Sequence, residues 1–334
     1  MSKPLRILVS RTDAIGDVIL SLPLAGILKA DDPACYIGFM GKSYTQSIIE
    51  CCSAVDCFVD VADFLKVDNR TIQKEWDVII HVFPRKDIAL KAKKAGIKLR
   101  IGTRNRLYHL FTCNKLVALS RRNSVLHEAQ LNTKLLEPLG IRKAWKLDEL
   151  SGLIHFDTIS ELSMKWKALL QPGKKHIILH PKSQGSAREW GLGNFSQLIR
   201  ILPKNQYQVF ISGTAKEREA MDPLFEAVGD QVTDLTGQMN LNEFIAFINA
   251  CDALVAASTG PLHIAAALGK VAIGLYPPIR PMHPGRWAPI GPHAQALVLE
   301  KDCEDCRKAP QACTCIQSIG AIEVLSVLEA MERS

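Results

Sequence analysis

Nothing in the 334-residue sequence is apolar for long enough to cross a bilayer, since every apolar run falls short of the ~18–20 residues a spanning helix needs. The opening run, Leu5 to Val9, is also too short and wrongly flanked for a secretory signal, so a cytoplasmic protein is expected. Repeats at solenoid period and low-complexity tracts are missing, which excludes stacked-repeat architectures. The G-x-G-x-x-G dinucleotide fingerprint is absent after the first apolar run, and no recognised nucleic-acid-binding module is present. Excess charge is modest at +7; it suits an anionic partner without choosing among phosphate, nucleic acid and a membrane surface.

What is present is enough apolar material, 47% of residues, to bury a sizeable core, and enough length for two ordinary domains. Six of the ten cysteines (Cys35, Cys51, Cys52, Cys57, Cys113, Cys251) are scattered and read as small buried hydrophobes in a reducing compartment. Short apolar runs alternate with amphipathic stretches. Leu5–Ser10, Cys35–Met40 and Asp77–Val82 read as strands, with helical spacing over Val18–Ala30. The rhythm restarts at Lys175–His180, with a helix from Asn194 to Leu202 and strands at Gln208–Ser212, Leu254–Ala257 and Val271–Leu275. The class is therefore α/β, with two doubly wound domains on parallel sheets, divided in the polar stretch between Ile159 and Lys175. Ligands of such sheets bind beyond the carboxyl ends of the strands.

Three segments carry candidate chemistry. Thr12-Asp13-Ala14-Ile15-Gly16-Asp17 links the first strand to the first helix. Gly16 would let the backbone turn sharply. Asp17 falls at the helix start, where the dipole favours an ionised carboxylate; it is either a general base or an ordinary helix N-terminal residue. Asp13 is the competing carboxylate, or a turn residue. Next, His180 to Trp190 follows a strong strand with hydroxyls, amides and cations: Lys182, Ser183 and Gln184 suit phosphate oxygens, and Arg188 offers a forked, delocalised charge for a departing diphosphate. A solvated surface loop is the bland reading. Finally, Ser258-Thr259-Gly260-Pro261 ends a strand and opens an alanine-rich helix with proline at its first position, a helix-start anion site. His263 lies in the first turn, as a site residue or a packed core histidine.

Two further clusters stand apart. Arg85, Lys86, Lys91, Lys93, Lys94, Lys98, Arg100, Arg104 and Arg106 crowd one segment of the first domain, as an anion-binding face or as solvated lysines. Cys303, Cys306, Cys313 and Cys315 form a short cluster that reads as a structural zinc site or as a reduced, packed loop.

The ordered set Arg6-Ile7-Leu8-Val9, Gly16-Asp17-Val18, Leu22-Pro23, Asp77-Val78-Ile79-Ile80, Arg100-Ile101-Gly102, His127-Glu128, Arg188-Glu189-Trp190, Leu235-Thr236-Gly237, Ser258 to His263 and Ala265 to Leu268 resembles glycosyltransferase family 9, the bacterial heptosyltransferases of lipopolysaccharide core synthesis. The resemblance implies a GT-B fold, two facing Rossmann-like domains: 1–165 for the acceptor, 166–318 for the nucleotide sugar, and a last helix in 319–334 crossing back onto the first. It implies an inverting transferase that needs no catalytic cofactor. Asp17 would be the base and Arg188 would hold the donor phosphates with Lys182, Ser183 and Gln184. Glu217 would bind the ribose, Met239 would lie beside the base, and Ser258, Thr259, Gly260 and His263 would form the pyrophosphate turn. Asp13, Gly16, Arg85, Arg104 and Arg106 fall on the acceptor side. The best-known heptosyltransferases have aspartate where Ser258 stands, and serine cannot supply a charged acceptor for sugar hydroxyls. Heptose from ADP-heptose is the first-choice donor. The partners implied are that nucleotide sugar and an anionic glycolipid acceptor at the inner membrane face; nucleic acid is not expected. The rivals are a GT-B sugar-nucleotide epimerase and a basic, zinc-stabilised nucleic-acid-binding protein.

Overall fold

A computed structural model describes residues 3–121, 124–279, 282–300 and 313–331. The chain divides into two units, Met1–Thr158 and Ile159–Ser334. The division falls at the start of the polar stretch read as the boundary, before 165, for a visible reason. Residues up to Thr158 are still tied to the first unit: Asp157 and Thr158 donate their N–H groups to the Cys51 carbonyl at 3.0 and 3.1 Å.

In the described residues of the first unit, β1 (Arg6–Ser10), β2 (Tyr36–Gly41), β3 (Cys57–Asp60), β4 (Val78–His81), β5 (Leu99–Thr103) and β6 (Lys115–Val117) form one six-stranded sheet in the order β3-β2-β1-β4-β5-β6. All its pairings are parallel. Such a sheet is covered on both faces, so its central strands are nearly continuous apolar runs, and Leu8, Val9, Ile79 and Ile80 are all buried. The helical stretch read as one from Val18 to Ala30 is two helices, Ile15–Ile19 and Pro23–Asp31. Pro23 opens the second, because a ring that lacks a donor fits the first helical position and not the interior.

The second unit repeats the plan. Its strands β7 (Lys175–His180), β8 (Tyr207–Ile211), β9 (Val232–Asp234), β10 (Ala253–Ala257), β11 (Val271–Tyr276) and β12 (Ala294–Val298) are ordered β12-β11-β10-β7-β8-β9, again all parallel. In each unit the order reverses beside the first strand, between β1 and β4 and between β7 and β10. These are the switch points, where loops leave in opposite directions and a crevice opens.

The helix Leu192–Ile201 and the last helix, Ala321–Met331, cover the second sheet; Val324 and Leu328 of the last helix join a core with Phe195, Leu198 and Ile273. In the described residues this helix packs into the core of the second unit. Trp190 anchors the same layer: it is buried edge-on against Phe195 at 4.8 Å, and its indole N–H donates to the Ile319 carbonyl at 2.9 Å.

Candidate active-site residues in the two units

At the switch point of the first unit, the chain leaves β1 through Arg11, Thr12 and Asp13 and enters the helix Ile15–Ile19. Ala14 caps that helix with an extended backbone, φ −88° and ψ 163°. The turn is therefore made without glycine, and Gly16 is the helix's second residue, not its hinge. Asp17 lies in the first helical turn with its side chain 19% exposed. Its carboxylate accepts from Arg11 Nη2.

Arg11, 2% exposed, is the centre of the cluster. Its Nε donates to Asp13 Oδ1 at 2.7 Å and its Nη1 to Glu128 Oε1 at 3.1 Å, so one guanidinium serves three carboxylates. Glu128, fully buried, also accepts from Arg121 Nε at 2.8 Å. Burial opposes the charge on Arg11, but Asp17, Asp13 and Glu128 together outweigh it, so the guanidinium holds its proton more firmly than usual. Burial pushes the Asp13 carboxyl up to about 6 against the pull of Arg11. Asp17 is likewise raised, by burial first, with Arg11 opposing. A raised carboxylate is a stronger base than a solvated one. Asp13 is thus more than a turn residue, and its carbonyl accepts the Tyr44 hydroxyl.

In the second unit the loop from His180 to Trp190 leaves β7 at the switch point, and the helix Gly260–Ala267 follows β10, the neighbouring strand. The loop is folded on itself. Glu189 accepts from Lys182 Nζ at 2.5 Å, and from the backbone N–H and hydroxyl of Ser183 at 3.1 and 3.2 Å. Ser183 also donates to the Ala187 carbonyl at 2.9 Å. Ser183 is buried, so its hydroxyl is engaged inside the loop. Gln184 and Gly185, with φ of 49° and 77°, form the tip, and Gln184 donates to Thr214 Oγ1 at 3.4 Å. Arg188 is half-buried on the returning limb.

The Gln184–Thr214 bond joins this loop to the one after β8. There Glu217, 8% exposed, accepts from the N–H and hydroxyl of Thr214 with Oε2, both at 2.8 Å. Its other oxygen, Oε1, is buried and has no partner among the described residues. Gly237 N–H donates to the Gly213 carbonyl at 2.9 Å, which lays the turn carrying half-buried Met239 beside the same loop. At the helix start Thr259 is the cap residue, and its buried Oγ1 also has no partner among the described residues. Pro261 therefore occupies the second helical position. The buried Tyr276 hydroxyl donates to the Trp287 carbonyl at 2.7 Å, and His263 is buried in the helix. A hydroxyl with no partner among the described residues at a helix start suits an anionic ligand, and a carboxylate oxygen in the same state after β8 suits a hydroxyl.

The basic segment divides. Arg85 pairs with Asp87, Lys91 Nζ donates to the Val67 carbonyl at 2.5 Å, and Arg100 Nε donates to the Thr112 carbonyl at 2.7 Å, so these hold structure. Lys86, Lys93, Lys94, Arg104 and Arg106 are exposed. Of the four clustered cysteines, Cys303 and Cys306 lie outside the described residues. Cys313 and Cys315 are buried, and among the described residues no group of three metal-ligating side chains occurs. Residue-by-residue reading missed Arg11, Arg121 and Glu189; the His127-Glu128 pair was visible but had no role.

The sequence model of glycosyltransferase family 9 (heptosyltransferase) matches residues 65–317. Lipopolysaccharide heptosyltransferase 2 of Escherichia coli is 23% identical to the chain, over 98% of it and 97% of that protein. Among solved structures, a family 9 glycosyl transferase of Veillonella parvula superposes with a TM-score of 0.78 at 22% identity, covering 100% of this chain and 99% of that one. The E. coli ADP-heptose lipopolysaccharide heptosyltransferase II gives 0.73 at 21% identity, covering 99% and 100%. The fold is GT-B, with two Rossmann-like units on parallel sheets. A match over more than half of its length shows that the chain belongs to glycosyltransferase family 9, the heptosyltransferases.

Proposed function

We propose that this glycosyltransferase moves heptose from ADP-heptose onto a sugar hydroxyl of a lipopolysaccharide-core or lipid A-type acceptor, with inversion and without a catalytic cofactor. The observation that carries the reading is a pair of buried oxygens with no partner among the described residues, Glu217 Oε1 and Thr259 Oγ1, on segments that leave the carboxyl ends of the second sheet. A carboxylate oxygen there fits a ribose hydroxyl. A hydroxyl at the start of an eight-residue helix fits a pyrophosphate oxygen.

In the proposed reaction Asp17 removes the acceptor hydroxyl's proton, and the oxygen attacks the donor's anomeric carbon from the face opposite the leaving group. The carbon–oxygen bond to the diphosphate breaks, and ADP departs with that electron pair. Arg188, Lys182, Gln184 and the helix start at Gly260 stabilise its charge. Lys182 would exchange Glu189 for a phosphate oxygen. Ser183 acts at one remove, by holding the loop through Ala187 and Glu189. Met239 lies beside the adenine, and His263 backs the pyrophosphate turn.

The acceptor reading rests on the first unit, where Asp13, Gly16 and the exposed cations Arg104 and Arg106 belong to the acceptor side, and Arg85 joins them only by giving up its pair with Asp87. The turn after β5 and the short helix His109–Thr112 that follows it add an apolar element: Leu107 is 74% and Phe111 69% exposed, with Leu110 exposed between them. Cations flanking exposed leucine and phenylalanine suit a cytoplasmic, peripheral position on an anionic membrane face, each well-placed cation adding about 1 kcal/mol. No described helix is long and apolar enough to cross a membrane.

A melting-point screen of nucleoside diphosphates and their sugars tests the donor reading, since a ligand that binds only the native state raises its stability. ADP and ADP-heptose should raise the melting point above UDP and GDP. Equal shifts for all three bases would defeat the donor assignment, and sugar conversion without acceptor would favour the epimerase.

A further inference from the structure

His127 and Glu128 form a dipeptide with no part in the reaction just described. Glu128 opens the helix Glu128–Thr133, 111 residues from Asp17, yet its carboxylate is fully buried between Arg11 and Arg121. From there the hydrogen bonds run on and close. Arg121 Nη2 donates to Asn132 Oδ1 at 3.1 Å. Asn132 Nδ2 donates to the Ser21 hydroxyl at 3.1 Å and the Leu20 carbonyl at 3.2 Å. Ser21 donates to the Asp17 carbonyl at 2.8 Å. The ring Asp17–Arg11–Glu128–Arg121–Asn132–Ser21 therefore begins at the carboxylate of one residue and ends at its backbone.

We infer that Glu128 is a positioning residue for Asp17: through Arg11 it fixes the carboxylate's direction, and its buried negative charge keeps Arg11 from making that carboxylate too weak a base. This rests on Asp17 being the base. Among the described residues, the charged and titratable groups around Asp17 are Arg11, Asp13, Glu128 and Arg121, with the phenol of Tyr44. The helix Gln46–Glu50 packs against the Asp17 helix, and its ionisable group, Glu50, is exposed and accepts from Gln46 at 2.7 Å. With Glu128 ionised, two guanidiniums meet three carboxylates; with Glu128 neutral, the balance turns against a basic Asp17. The shifts agree in sign. Burial raises the Asp17 carboxyl most, Arg11 lowers it, Glu128 raises it and Arg121 lowers it.

Two substitutions in the same ring should therefore move the reaction's acid limb in opposite directions. With kcat measured against pH at saturating donor and acceptor, Glu128→Gln should shift the limb to lower pH, by on the order of one pH unit, with a lower plateau. Arg121→Met should shift it upward, and Glu128→Asp should restore it toward wild type. Asp13 is the other carboxylate with a raised pKa, so the pair is repeated in Asp13→Asn, where the opposed shifts should persist. A purely structural ring would lower the plateau and leave the limb in place. Both limbs unmoved, or moved the same way, would overturn the inference; if Glu128→Gln does not fold, the upward shift in Arg121→Met decides. Asp17→Asn separates the two claims. If it turns over normally, the base assignment falls and this inference with it. If it is inactive while the limbs stay still, only the inference falls.

Discussion

Replacing Arg11 by methionine removes the one cation that three carboxylates share and leaves a side chain of comparable length in a nearly dry site. Glu128 keeps Arg121, so the loss falls mainly on Asp13 and Asp17. Breaking a buried pair from one side costs about 3–5 kcal/mol, against about 5–15 kcal/mol of total stability for a typical domain. The cost must depend on pH, and its sign follows from the carboxylates. In the folded wild type, burial already holds Asp13 near about 6 and Asp17 above its ordinary value, with Arg11 pulling both down. Without Arg11 both rise further. A group whose folded pKa is raised binds its proton more tightly when folded, so its stability is fully present below the unfolded value and is lost as pH rises through the folded one. Urea unfolding followed by far-ultraviolet circular dichroism at pH 4.5 and pH 8 should show a deficit of about 1 kcal/mol or less at the lower pH, growing to about 3–5 kcal/mol at the higher. Equal deficits at both would mean that Arg11 acts by packing and not by charge, and would refute the electrostatic account of the cluster.

Three further outcomes follow from the same geometry. Trp190→Ala should cost about 3–5 kcal/mol in urea melts, because it empties a buried site and leaves the Ile319 carbonyl without its donor, and it should weaken ADP binding by loosening the loop that ends there. Glu217→Gln should weaken ADP by about 10–100-fold in calorimetry, the worth of a hydrogen bond to a charged acceptor, while leaving 2′,3′-dideoxy-ADP nearly unaffected; equal losses would remove the ribose contact. Burial holds His81 down to about 3, and neither ring nitrogen has a partner among the described residues, so its contribution to stability is present above pH ~6.5 and is lost as pH falls from there toward about 3; His81→Leu should flatten the decline between pH 6.5 and 4, and an unchanged slope would speak against it.

The strands that could be read from sequence are those whose burial dictates their composition. Ile7 to Val9, Val78 to Ile80 and Ile177 to Leu179 lie between two layers of helices, so each must be apolar throughout. The edge strands β6 and β9, Lys115–Val117 and Val232–Asp234, are three residues each and partly polar, and only pairing with a neighbour makes them strands. The functional segments were legible as places more than as contacts. The loop after β7 suited a diphosphate by its residue types, but the turn at Gln184 and Gly185 folds Glu189 back onto Ser183 and engages its hydroxyl. Gly16 looked like a hinge because glycine permits one, yet Ala14 makes the turn in an ordinary extended conformation. Arg11 and Glu128 lie 117 positions apart, and no local pattern links them; the sheet brings them together.

Transfer by the Asp17→Asn enzyme, measured beside its affinity for ADP, bears most directly on the mechanism. With ADP-heptose and a heptose-deficient glycolipid supplied, wild type should form the extended glycolipid. The variant should lose about 10²–10⁴-fold in kcat while binding ADP as tightly as before. A variant that turns over at the wild-type rate, or one whose only defect is in holding ADP, would contradict the assignment.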